Sequence, residues 1–205
     1  MGDSYDAAGI QVVDFDEHVR THPEMYFWAR RGGRDPATRI LADVLSHALH
    51  PAARLAPAHT ARVEAGIEGD LTFWVADDLV EDAWDGDRPP SGYYGSLLSP
   101  DRWTCAAAAA LSTRTVVEVW RDGRGLRQEL SGLRPVEDPR EIDAPAGRGT
   151  RVLFELDATW AGPALSTDLA SLDLHAPHCD APLGPGHVTL RDLRAPHGPA
   201  AVRLE

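Results

Sequence analysis

Helices and β-hairpins follow one another along these 205 residues in an order that predicts an α+β fold, a two-layer sandwich with helices packed on one face of a mixed β-sheet. Two proline-led helix starts, Asp35-Pro36 and Ser99-Pro100, open the long helices. Two tight turns, Glu68-Gly69-Asp70 and Asp122-Gly123, each join a pair of β-patterned runs. A β-branched and aromatic run, Arg151–Leu156, supplies a further strand.

In chain order, the small and polar stretch from Gly2 to Gly9 reads as an extended arm. Ile10, Val12 and Val13 either lie along a strand or lead into a short helix around Asp14–Thr21, which His22-Pro23 stops. Ile40, Leu41, Val44, Leu45, Ala48 and Leu49 form an apolar stripe on a helix that Pro51 ends. Thr60–Ile67 and Leu71–Ala76 read as a hairpin, and Asp77–Pro100, rich in Gly, Pro and Asp, as a loop or lid. The alanine run to Leu111 continues the second helix, with side chains small enough for close packing. Thr115–Arg121 and Gly125–Leu130 form the second hairpin, and Arg134–Gly147 reads as a proline-rich connection. Ser166–Leu174 reads as a short helix, and His187–Asp192 and Ala201–Leu204 as short strands.

Composition excludes several chemistries. The formal net charge is -12, so autonomous DNA binding is not expected; the densest basic cluster, Arg30, Arg31 and Arg34, reads as a solvated loop. All positive side chains are arginine and there is no asparagine. A P-loop lysine, a Schiff-base lysine and an asparagine metal ligand are therefore ruled out. Mean hydropathy is -0.30 and no apolar run approaches membrane-span length, so a cytoplasmic protein without a membrane segment is expected. Two cysteines make no disulfide framework. His175, His178, Cys179 and Asp180 cluster tightly, but without a second ligand pair nearby no metal site is assigned.

The segment SYDAAGIQVVDFDEHVRTHPEMYFW, Ser4 to Trp28, resembles the opening of the DNA gyrase B family: an SYD arm, a helix, then V-R-x-R-P-x-M-Y, matched by Val19, Arg20, Pro23, Met25 and Tyr26. Val75-Ala76-Asp77-Asp78, the Ala106–Ser112 helix, Arg127-Gln128 and Gly149-Thr150 follow in the family's order. The resemblance implies a GHKL (Bergerat-type) ATP-binding domain over residues 14–205, with residues 1–13 as an N-terminal arm and the family's transducer domain absent.

That family uses a helix glutamate to activate water, an asparagine one turn on to hold Mg²⁺, a strand-end aspartate for the adenine amino group, and glycine-rich loops around the phosphates. The resemblance puts Asp43 at the glutamate, one methylene short, and His47 at the asparagine, a poor ligand for a hard cation. Asp77 keeps the adenine aspartate, Thr150 its partner, and Arg127 a pocket-rim arginine that aminocoumarin inhibitors reach. Tyr5 matches an arm tyrosine that enters the site of the other protomer in the family's dimer. Both glycine motifs are lost, at Asp77–Glu81 and around Leu98–Thr104, where bulky Trp103 stands. Tyr93-Tyr94 reads as an anchor for a shortened lid rather than a ligand platform.

The expectation is a domain whose adenine end is kept and whose triphosphate end is dismantled. It would bind a ligand or protein partner rather than hydrolyse ATP. ATP, ADP or another adenine-pocket ligand is the implied occupant, without a dependable Mg²⁺ site. A homodimer formed through the arm, or a gyrase-related partner, is the implied assembly. Two alternatives stand beside it. One is a weak ATPase using Asp43 and His47; the other is a binding or immunity protein for a gyrase-inhibitor-like natural product, resting on Asp77, Thr150 and Arg127.

Overall fold

Asp14, extended at φ -63°, precedes the first helix, α1 (Phe15–Thr21); after the His22-Pro23 break the chain re-enters a short helix, α2 (Glu24–Phe27). The structure, a computed structural model, describes residues 13–27, 35–49, 62–80, 84, 88–166, 174, 187–194 and, by backbone, 200–204. The arm with Tyr5, the Arg30–Arg34 cluster, residues 167–173 of the helix predicted over Ser166–Leu174, and the His175–Asp180 cluster lie outside the described residues.

The long helix α3 (Pro36–Leu49) starts as the sequence predicts: the Asp35 carboxylate accepts the Thr38 amide at 3.3 Å, and Pro36 stands where no amide partner is needed. Its stripe of Ile40, Leu41, Val44 and Leu45 is fully buried. Ser99-Pro100 opens a 3-10 turn (Pro100–Arg102), with the Ser99 hydroxyl accepting from the Asp101 amide, and the chain runs on into α4 (Trp103–Ala110). Thr104 to Ala110 are all buried in α4, so the alanine run is a close-packing surface.

The sheet is mixed. It comprises β1 (Arg62–Ile67), β2 (Thr72–Asp77), β3 (Ser112–Arg121), β4 (Arg124–Ser131), β5 (Arg134–Pro135), β6 (Arg140–Asp143), β7 (Gly149–Leu156), β8 (His187–Asp192) and β9 (Ala200–Leu204). The order is β5-β4-β3-β7-β2-β1-β8-β9, with β6 also on β4; β1 and β8 are parallel and the other pairs antiparallel. The β3–β4 hairpin turns on Asp122 (φ 53°) and Gly123 (φ 81°), the two positive φ values a tight hairpin turn demands. The Arg134–Gly147 connection needs correction: β5 and β6 lie within it and add to β4, so Pro135 sits at a sheet edge where its missing amide costs nothing. A one-turn helix, α5 (Ala158–Ala161), capped by Asp157 on the Thr159 amide, is a further element the sequence pattern does not announce.

Alternation sorts the two faces. Phe73 and Val75 of β2, Val117 of β3 and Val152 and Phe154 of β7 face the helices, with the Phe73 and Phe154 rings 5.0 Å apart. Burial of each such ring stabilises by about 1.5–3 kcal/mol. The other face carries ion pairs: Arg114 with Glu129 and Glu155, Arg127 with Glu118, and Arg151 with Glu68 and Glu118. Arg151 also lies over the Trp74 ring at 4.7 Å. That face pairs its charges with one another and meets solvent.

Candidate functional site

The site grows from the end of β2. Asp77 is the last residue of that strand, faces the helix layer and is only 5% exposed; Thr150 is its register partner on β7. The strands meet closely because Gly149 precedes Thr150: a Cβ there would lie 2.6 Å from the Asp77 carbonyl oxygen and 2.5 Å from the Trp120 ring.

The Asp77 carboxylate is occupied from within. Arg102 donates through Nη1 to Oδ2 and through Nη2 to Oδ1, both at 2.7 Å, a fork-to-fork pair. Nη2 also reaches the Leu79 carbonyl at 2.8 Å, and the Leu79 amide donates to Asp77 Oδ1 at 3.0 Å. Thr150 is spent too, its hydroxyl donating to the same Leu79 carbonyl at 2.9 Å. The 3-10 turn places Arg102 immediately before α4, where a cation opposes the helix dipole; the carboxylate beneath it offsets that cost.

On the helix side, Asp43 is buried in α3 and meets Arg39 one turn back at 3.2 Å. His47, one turn on, packs edge-to-face with Trp103, ring centroids 5.3 Å apart. His47, Ala48, Asp77, Leu79, Arg102 and Cys105 enclose a cavity of about 10 Å³, room for one water at most. Burial pushes the Cys105 thiol up to about 11, so it is a packing group and not a nucleophile. Across Arg102 a second cavity, about 20 Å³, is lined by Val80, Trp84, Pro90, Val119 and Thr150. Small-molecule sites run to several hundred Å³. Arg102 thus stands between two small cavities, neither able to admit a purine ring.

The structure brings His47 and Asp77 to one small cavity, with Thr150 beside Asp77 on β7 and Asp43 one turn before His47 on α3, and does not bring Arg127 to it. Arg127 lies on the opposite, solvated face of β4, paired with Glu118, and its register row runs through Glu118 and Arg151 rather than through Asp77 and Thr150. Tyr93 and Tyr94 serve as lid anchors: Tyr93 packs on Phe15 at 5.0 Å, and Tyr94 donates its hydroxyl to Asp16 at 2.9 Å. Buried Gln128 fixes the lid from the sheet, accepting the Leu97 amide at 2.8 Å while donating to the Glu137 carbonyl. Sequence reasoning missed Arg102. Its signal was an arginine just ahead of the alanine helix with no acid assigned to it.

Layer arrangement and strand order give helices packed on one face of a mixed sheet, with Asp77 and Thr150 paired at one end of it. The chain is similar to the 43K ATPase domain of Thermus thermophilus gyrase B, solved in complex with an aminocoumarin, with a TM-score of 0.64 and 24% identity. The match covers 92% of this chain and 50% of that one, so this chain spans about half the length of its structural relative. At that identity the likeness establishes the fold. No protein-family model and no curated protein matches the sequence. Among the described residues no helix is long and apolar enough to cross a membrane.

Proposed function

We propose that this chain is a non-hydrolysing domain of the GHKL fold that works by binding a protein partner, with its nucleotide-side pocket closed by its own Arg102. The observation that carries this reading is the fork between Arg102 and Asp77. The adenine-facing aspartate of the fold is neutralised by a covalently tethered cation, at an effective concentration no dissolved nucleotide matches. The base position supports the same reading: Asp43 is held by Arg39 on its own helix, and His47 rests against Trp103. A general base must be free to reach the proton it abstracts. The lid segment is tied down by Gln128, Tyr93 and Tyr94 rather than poised to close over phosphates.

The test is calorimetric titration of the full chain with ATP and ADP, with and without Mg²⁺, and with an aminocoumarin, alongside a phosphate-release assay. No binding heat at millimolar nucleotide and no turnover are expected. Magnesium-dependent ATP binding, or turnover abolished by Asp43→Ala, overturns the reading in favour of an ATPase. Saturable aminocoumarin binding without ATP binding would instead make the domain a small-molecule binder.

A further inference from the structure

Two histidines stand one turn apart at the end of α1, His18 within the helix and His22 as its C-cap. The His22 amide donates to the His18 carbonyl at 2.9 Å, so helical spacing holds through the cap and both side chains share one face. Their ring centres are 5.1 Å apart. Two imidazoles sharing one tetrahedral ion, at Zn–N distances of about 2.0–2.1 Å, have ring centres roughly 5 Å apart. Each ring also has an oxygen beside its Nδ1. His18 Nδ1 lies 2.9 Å from the Tyr26 hydroxyl on α2, and His22 Nδ1 lies 3.6 Å from Glu24 Oε1. An oxygen there favours the tautomer protonated at Nδ1 and leaves the Nε2 lone pair for a metal, the usual support of a ligating imidazole. Among the described residues no group is bonded to either Nε2. His18 is half-buried and His22 exposed, so water reaches the pair.

We propose that His18 and His22 chelate one transition-metal ion of the zinc or nickel class through Nε2, with water in the remaining positions. Nitrogen donors select such ions over Mg²⁺ and Ca²⁺, which take oxygen. Among the described residues no three His, Cys, Asp or Glu side chains come together for an ion, so this chain supplies two ligands. Arg20, the arginine of α1, is held away on the Ala110 carbonyl at 2.9 Å, and the net charge of -12 draws cations to the surface. An ion here clamps the corner between α1 and α2 on which the lid rests, where Phe15 packs against Tyr26 at 5.6 Å and Tyr93 at 5.0 Å. The cavities beside Arg102 have no lining residue from α1 or α2, so the chelate is separate from the Asp77 corner.

The experiment titrates the full chain, labelled with ¹⁵N-histidine, with zinc chloride and with magnesium chloride near neutral pH, and reads the imidazole nitrogens. The Nε2 resonances of His18 and His22, assigned by their loss in His18→Gln and His22→Gln, are expected to move together with Zn²⁺, with a single midpoint, and to stay in place with Mg²⁺. In His22→Gln the midpoint at His18 should rise by about 10-fold or more, and so should that at His22 in His18→Gln, because each ring then binds without its tethered neighbour. His175→Gln/His178→Gln should leave the shared midpoint unchanged. Unmoved resonances, separate midpoints for the two rings, or ligation through Nδ1 overturn the proposal. So do an unchanged midpoint in either single variant, a weakened one in the His175→Gln/His178→Gln chain, or an equal response to Mg²⁺.

Discussion

Asp77 and Asp16 are both buried carboxylates, 5% and 4% exposed, and the protein satisfies them in opposite ways. Asp77 meets a single arginine whose side chain is itself 14% exposed, in a corner with room for one water. Asp16 meets several groups that touch solvent: Arg134 at 2.9 Å, the Tyr94 hydroxyl at 2.9 Å, and Arg20 at 3.9 Å. The first arrangement is a plug, in which one arginine supplies the opposing charge and one backbone amide, that of Leu79, adds a hydrogen bond. The second is an anchor that ties the lid to α1 and shares the load. Tyr94 shows the anchor under tension: at φ 52° it sits in the left-handed region, unfavourable for a bulky side chain, and Asp16 together with the stacked Arg134 holds it there. A dry single pair should respond to mutation as a unit; a wet shared cluster should respond by degrees.

The largest effect is expected at the plug. Arg102→Met keeps the length of the stem but strands the Asp77 charge, and should cost about 3–5 kcal/mol. The double variant Asp77→Leu/Arg102→Met removes both charges and should recover most of that loss, because an apolar pair needs no desolvation to be compensated. Chemical denaturation of the wild type, the single variants Arg102→Met and Asp77→Leu, and the double variant measures the coupling. Additive losses would show that the two residues do not act as a plug.

Next comes the anchor. Asp16→Asn leaves Tyr94 a neutral acceptor but removes the charge facing Arg134, and should cost about 1–2 kcal/mol, reduced by the exposure of its partners. Burial pushes the Asp16 carboxyl up, but hydrogen bonds from Arg134 and Tyr94 and the charges of Arg134 and Arg20 outweigh it and hold it below its ordinary 3.8. A folded-state pKa lower than the unfolded one contributes stability that is fully present above 3.8 and is lost as pH falls through the depressed value. Asp192, held down by its hydrogen bonds from Arg194 against burial, adds to the same acid limb. Thermal melts should therefore be flat near neutrality and fall below pH 3.8, and Asp16→Asn should make that fall shallower. An unchanged acid limb would show that Asp16 is not the group titrating.

Most of the scaffold was legible in the sequence because its signals are local. Asp35-Pro36, Ser99-Pro100 and Asp122-Gly123 state their own backbone geometry, and the stripe on α3 states its buried face. β5, β6 and α5 were not legible: strands of two and four residues and a single helical turn owe their existence to β4 and to the core, not to their own composition. At the site, the nearness of His47 to Asp77, and of Asp77 to Thr150, followed from the order of the motifs along the chain. The Arg102 contact did not, because it joins residues 25 apart through a lid whose path only packing determines. Arg127 failed to reach the site for a related reason: one residue of register decides which face of a strand a side chain takes.

The smallest expected effect distinguishes plug from anchor most cleanly. Arg134 is half-exposed; it bridges Asp14 at 2.6 Å and Asp16 at 2.9 Å and covers the Tyr94 ring at 4.2 Å. Its charge works in water, so Arg134→Gln should lower the melting temperature less than Asp16→Asn does. The difference from wild type should close in about 1 M salt, where screening acts within roughly 3 Å. The Arg102→Met loss should persist in the same salt, since ions do not enter a cavity that admits a single water. If both losses were screened alike, Asp77 would lie in contact with solvent, and the corner at the end of β2 would be an open site with an arginine at its rim.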